Sequence, residues 1–217
     1  LLHEAVRAAW PLTEVYVEDA SAIDVSGVDV RLVSPGVIER VATTVTPRPV
    51  LAVARQRIAL LESLRDATFV LVLVDVADPG NLGTMIRTAE SAGVDAVVVC
   101  GGVDVFNPKC VRASAGSLFF VPIVRCPDAV AALDQLGAWG LRRLGTSSSA
   151  PTRYDEIDLR SRVALVLGSE AHGLEGDVRG AVDGMVSIPI AGRSESLNVA
   201  AAAAVICFEV TRQRRPS

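Results

Sequence analysis

A chain of 217 residues, half of them hydrophobic, is long enough for one large or two small domains with a sizeable core. No apolar run approaches the ~18 residues of a membrane span; the run Phe69 to Val74 is strand-sized. The formal charge of −4 argues against a uniformly basic nucleic-acid binder but leaves room for a local arginine patch.

The four cysteines (Cys100, Cys110, Cys126, Cys207) form no CxxC pair, and the two histidines, His3 and His172, lie far apart. No metal site is expected, and free thiols of a cytoplasmic protein are the better reading. Lys109 is the only lysine among 21 basic residues, which reflects base composition rather than chemistry. The first residues read as the middle of a helix, without a signal-peptide pattern or an initiator Met, so the natural protein is expected to begin earlier.

In chain order, Glu14 to Glu18 reads as a strand, followed by a polar loop and a second strand near Val30 to Val33. Ser34-Pro35-Gly36 opens a helix carrying Val37, Ile38 and Val41, and Val50 to Ala54 gives another strand. Residues 55–66 form a charged bridge, with the domain boundary at its end. A strand Phe69 to Asp75 is apolar on both faces, as a strand covered by helices should be. A helix Leu82 to Ala92 and a strand Ala96 to Val99 follow. Next come a helix Pro108 to Ser114, a strand Phe120 to Val124 and a helix Asp128 to Leu136. Strands at Leu141–Gly145, Val163–Leu167 and Met185–Ile188 precede an alanine helix and a frayed tail from Arg212. Such alternation predicts a parallel α/β sheet.

Three strand ends carry the candidate chemistry. Asp78-Pro79-Gly80-Asn81-Leu82-Gly83-Thr84-Met85-Ile86-Arg87 follows the strongest strand. Asn81 is a candidate helix cap, Gly83 a point of exposed backbone, and Arg87 a grip for phosphate or hydroxyl. Leu167-Gly168-Ser169-Glu170-Ala171-His172-Gly173 places a carboxylate between glycines, where packing explains it poorly; His172 reads as incidental. Ser196-Leu197-Asn198 opens the alanine helix, as a cap or as one wall of a ligand site. No G-x-G-x-x-G follows a strand and no G-K-[ST] occurs, which weakens dinucleotide and nucleoside-triphosphate readings.

Together N-L-G-x-x-x-R, L-G-x-E-x-x-G-L and I-P-I-x-G-x-x-x-S-L-N-V-A resemble, in order and spacing, the three motifs of the SpoU (TrmH) RNA 2′-O-ribose methyltransferases of the SPOUT class. Asn107-Pro108-Lys109 with Arg112-Ala113-Ser114 is similar to a further family segment. The resemblance covers residues 68–212. It implies a C-terminal trefoil knot, bound S-adenosylmethionine, a homodimer, and an RNA substrate, with ribosomal RNA favoured over transfer RNA. It also implies a division into a truncated, ribosomal-protein-like RNA-binding domain over residues 1–66 and a methyltransferase domain over 67–217. By carry-over, Arg87, Asn81, Glu170, Ser196 and Asn198 would be catalytic. Thr146, Leu167, Gly168, Ile188, Ser196 and Leu197 would hold the cofactor, and Arg87, Lys109, Arg112 and Ser114 would meet RNA. The competing expectations are a catalytically inactive RNA-binding protein of the same fold and a tRNA 2′-O-methyltransferase.

Overall fold

In a computed structural model, residues 1–19, 28–42 and 46–215 are described, and the chain divides into two units, Leu1–Arg57 and Ile58–Ser217. The polar loop expected after the first strand lies largely outside the described residues, as do Pro216 and Ser217.

The first unit contains α1 (Leu2–Arg7), β1 (Leu12–Val17), β2 (Asp29–Leu32), α2 (Val37–Val41) and β3 (Val50–Ala54). Its sheet runs β2-β1-β3, with β2 parallel and β3 antiparallel to the central strand. Val15 and Val17 are buried because they share one face of β1, two positions apart. Glu18 accepts from the backbone N–H groups of Gly36 and Ile38 and so ties β1 to the start of α2.

The second unit begins with residues 58–66, which the sequence reading assigned to the bridge: Ala59 donates to the Ile123 carbonyl at 2.8 Å and pairs with Val124. Its elements are β4 (Phe69–Val74), α3 (Pro79–Ala92), β5 (Ala96–Cys100), α4 (Pro108–Ala113), β6 (Ile123–Arg125) and α5 (Ala129–Ala138). Then come β7 (Arg142–Thr146), β8 (Thr152–Arg153), β9 (Val163–Leu167), α6 (Gly176–Gly180), β10 (Gly184–Ser187) and α7 (Val199–Arg214). The strands form one seven-stranded sheet, ordered β6-β5-β4-β9-β7-β10-β8 and parallel at every pairing. Strands β4, β5 and β9 are buried along their whole length.

Alternation along these strands builds two cores. Leu71, Leu73, Val97, Val99, Leu165 and Leu167 face α3 and α7. Val70, Val72, Val98, Ala164 and Val166 face α5 through Ala132, Leu133 and Leu136. Each fully buried Val or Leu contributes about 1.5–3 kcal/mol relative to exposure.

Several expectations need correcting. The predicted strand over Phe120–Val124 starts at Ile123, because Ser117–Phe119 forms a 3-10 turn and Val121 donates back to the Ser117 carbonyl. The frayed tail is helical as far as Arg214. Thr211 Oγ1 donates to the Ala92 carbonyl at 2.8 Å, and Arg214 donates to the carbonyls of Ser161 (2.6 Å) and Thr68 (3.0 Å). Short β8 and α6 carry too few apolar residues for a periodic signal.

Candidate active site

Helix α3 starts where β4 ends. Asp78, not Asn81, is its N-cap: Asp78 Oδ1 accepts from Asn81 N at 2.8 Å, with Pro79 at the first helical position. Asp78 Oδ2 holds the Lys109 ammonium at 2.8 Å, and that contact, with the bond from Asn81 N, keeps the aspartate below its ordinary range. The side chain of Asn81 is therefore free for another task.

That task is a hydrogen-bond chain through three loops. Asn81 Nδ2 donates to Glu170 Oε1 at 2.9 Å, and Asn81 Oδ1 accepts from Asn198 Nδ2 at 3.1 Å. Asn198 in turn caps α7, its Oδ1 accepting from Ala200 N (2.9 Å) and Ala201 N (3.3 Å). Glu170 also accepts from Ala77 N (3.1 Å) and Asp78 N (3.3 Å). Partial burial pushes its carboxyl upward. The bonds from Asn81 and three backbone N–H groups outweigh that and hold it below the usual range. Glu170 is thus an ionised anchor for the loop after β4. The backbone of His172 donates to Ser169 Oγ, and its ring has no hydrogen-bond partner among the described residues.

Beside this chain lies a cavity of about 530 Å³. Thr146, Leu167, Gly168, Ile188, Ser196 and Leu197, the six residues expected around the cofactor, all line it, with Glu170 and Asn198. A Cβ on Gly168 would run into the Gly173 carbonyl, so the turn after β9 needs glycine there to close. Ser194 Oγ donates to the Ser196 carbonyl and shapes the third loop.

The remaining expected residues lie elsewhere. Arg87 is exposed on α3 in a row with Thr84, away from the cavity lining, and has no ion pair or side-chain hydrogen bond among the described residues. Arg112 is exposed on α4. Ser114 is fully buried, its Oγ donating to the Val111 carbonyl, so it ends α4 rather than presenting a hydroxyl at the surface. Gly83 is also buried and exposes no backbone: a Cβ there would strike the Cys110 carbonyl and Ala113, so this glycine lets α4 lie against α3. Among the other arginines, Arg143 is bound to Asp183 and Asp134, and Arg153 to Asp155 and Glu156. Sequence reasoning missed Asp78 as the cap, although the Asp-Pro pair ahead of Asn81 carries that signal.

A parallel α/β sheet with polar loops gathered at the carboxyl ends of β4 and β9 and at the start of α7 defines an enzyme class that binds a small ligand at strand ends. The family model described as the SpoU rRNA Methylase family matches residues 68–208, and the chain belongs to that family. It is 36% identical over 214 residues to the 23S rRNA (guanosine(2553)-2′-O)-methyltransferase of Bacillus subtilis, covering 97% of this chain and 85% of that one. It is also 36% identical over 197 residues to a 23S rRNA (guanosine-2′-O-)-methyltransferase of Xanthomonas axonopodis, covering 87% of this chain and 79% of that one. Among solved structures, the SpoU methyltransferase AviRb of Streptomyces viridochromogenes in complex with AdoMet superposes with a TM-score of 0.87 at 29% identity, covering 98% and 87% of the two chains. An AdoMet-bound rRNA methyltransferase of Sinorhizobium meliloti gives 0.83 at 31% identity, covering 97% and 84%.

Proposed function

We propose that this chain is an S-adenosylmethionine-dependent RNA 2′-O-ribose methyltransferase acting on 23S ribosomal RNA. The observation that carries this reading is the Glu170–Asn81–Asn198 chain, which joins three separate motif loops beside one cavity. Relatives named as 23S rRNA 2′-O-methyltransferases and structural neighbours solved with AdoMet support it.

The cavity fits the cofactor. Its volume is in the range of small-molecule sites, and Leu167, Ile188 and Leu197 offer apolar surface for a purine beside the hydroxyls of Thr146 and Ser196. When bound, the cofactor supplies an activated methyl group on a sulfonium. The protein's share is to align the ribose hydroxyl and to manage its proton. Arg87 cannot serve as a base, since a guanidinium stays protonated. With no internal partner among the described residues, it is available to hold the phosphate beside the target ribose and to stabilise the developing oxyanion, with the proton leaving to water or phosphate. Asn81, Glu170 and Asn198 hold the loops in register, and Ser196 lines the cofactor side.

Several finer features belong to the same proposal. The region from β7 to α7 forms the family's trefoil knot, in which the small residues at the start of α7 let the helix pass a crowded backbone. Residues 1–66 act as the ribosomal-protein-like RNA-binding part, supported by exposed Arg48 and Arg55, which have no side-chain partner among the described residues. Lys109 and Arg112 extend the RNA contact on α4. The protein works as a cytoplasmic homodimer, supported by the exposed apolar face of α7 carrying Val205 and Phe208.

The test is transfer of labelled methyl to 23S rRNA transcripts, with the modified ribose mapped. Wild type should label a 2′-oxygen, while Arg87→Ala should bind cofactor normally and label nothing. Absence of cofactor binding in wild type would select the inactive RNA-binding alternative. Label confined to tRNA would select the tRNA enzyme.

A further inference from the structure

The cavity wall carries charge that the hydrogen-bond chain does not use. Four lining side chains are ionisable: Glu170, His172, Arg179 and Glu195. Glu170 is committed to Ala77, Asp78 and Asn81. Arg179, on α6, and Glu195, in the loop before α7, have no side-chain hydrogen bond or ion pair among the described residues. They are also not paired with each other, although both border the same space. A guanidinium and a carboxylate that border one cavity without pairing with each other match a ligand that presents an anion and a cation at one end.

We infer that Arg179 and Glu195 form the subsite for a zwitterionic α-amino acid group, Arg179 taking the carboxylate and Glu195 the ammonium. This rests on the reading that the cavity binds S-adenosylmethionine, whose methionine end is such a group. The planar fork of an arginine suits a carboxylate, and a charge-assisted pair adds orientation as well as affinity. The apolar residues Leu167, Ile188 and Leu197 are left for the adenosine end. Arg179 and Glu195 therefore select full-length cofactor over adenosine thioethers that lack the amino acid. They hold substrate and demethylated product equally, because both carry the same tail.

Calorimetric titration of the whole chain with four ligands tests this: S-adenosylmethionine, S-adenosylhomocysteine, decarboxylated S-adenosylmethionine and 5′-methylthioadenosine. Arg179→Ala should weaken the first two about 10- to 100-fold, the range of a charge-assisted contact, and leave the last two unchanged. Glu195→Gln should weaken all three amine-bearing ligands and spare 5′-methylthioadenosine. Arg179→Lys should recover part of the loss. Equal weakening of 5′-methylthioadenosine by either variant, or no change for any ligand, overturns the assignment. If wild type binds none of the four, the cofactor reading itself falls. If it binds them and the variants do not discriminate, only the subsite falls. Both side chains are exposed, so a matching thermal melt will show that the variants are folded.

Discussion

Asn198 Nδ2 donates to Asn81 Oδ1 at 3.1 Å across 117 positions of chain, and this bond fixes the orientation of both amides. Asn198 must turn its oxygen to the N–H groups of Ala200 and Ala201, which leaves only its nitrogen to face Asn81. Asn81 must then present its oxygen to Asn198 and its nitrogen to Glu170. Flipping either amide would set donor against donor or oxygen against oxygen, so the polarity runs one way through all three loops.

Asn198 therefore has two separable duties. Asn198→Asp keeps a good cap but sets a carboxylate against Asn81 Oδ1, so the link breaks while α7 stays capped. Its unfolding free energy should stay within about 1 kcal/mol of wild type, since Asp and Asn cap about equally well, while methyl transfer falls by at least about tenfold. Asn198→Ala loses the cap as well and should cost a further ~1 kcal/mol. Thermal melts alongside initial rates check both; parallel losses of stability and rate in the Asp variant would refute the separation.

Glu170 gives a signed pH dependence. Its folded carboxyl titrates below the ordinary value of 4.5, so its anchoring contributes fully above that value and is lost as pH falls through the folded one. The melting temperature of Glu170→Gln should trail wild type by a constant margin at neutral pH and converge with it in acid. Gln can satisfy only part of the acceptor set, and the exposed position limits the loss to about 1 kcal/mol. A gap that widens on acidification would contradict this sign.

Much of this was legible in the sequence because burial leaves a strong trace. Val163–Leu167 and Val50–Ala54 are strands over the expected residues, and the run from Phe69 gives β4, six buried residues long. The three loops also announce themselves by glycine, asparagine and serine after apolar strands. What stayed hidden depends on tertiary neighbours. Nothing local says that Gly83 faces the Cys110 carbonyl, that Ser114 is spent on Val111, or that Arg179 borders the cavity. Asn81 was misread as a cap because the helix starts earlier: Asp78, three positions before it, accepts from Asn81 N and so places Asn81 inside the first turn.

Gly83→Ala measures the closeness of α3 and α4. Alanine gains about 0.5–1 kcal/mol of helix propensity, but its Cβ would meet the Cys110 carbonyl and the Ala113 side chain, where backbone must move. Overpacking of this kind costs about 1–3 kcal/mol, so the net change should be destabilising and lower the melting temperature by a few degrees. A melt at or above wild type would show that the helices part without strain.

The outward face of α7 tests the assembly. Val205 is 36% exposed and Phe208 is 45% exposed, one helical turn apart, with exposed Ala201 a turn before them. An aromatic and a valine on one face of a helix are the kind of apolar patch that a second subunit covers. Phe208→Glu places a charge in that patch without disturbing Ile206, Cys207 or Val210, which face the core. Wild type should sediment as a dimer, and the variant as a folded monomer or a dimer weakened by at least about tenfold, because burying an unpaired charge is costly. A wild-type monomer, or a variant dimer of undiminished affinity, would remove α7 from the interface.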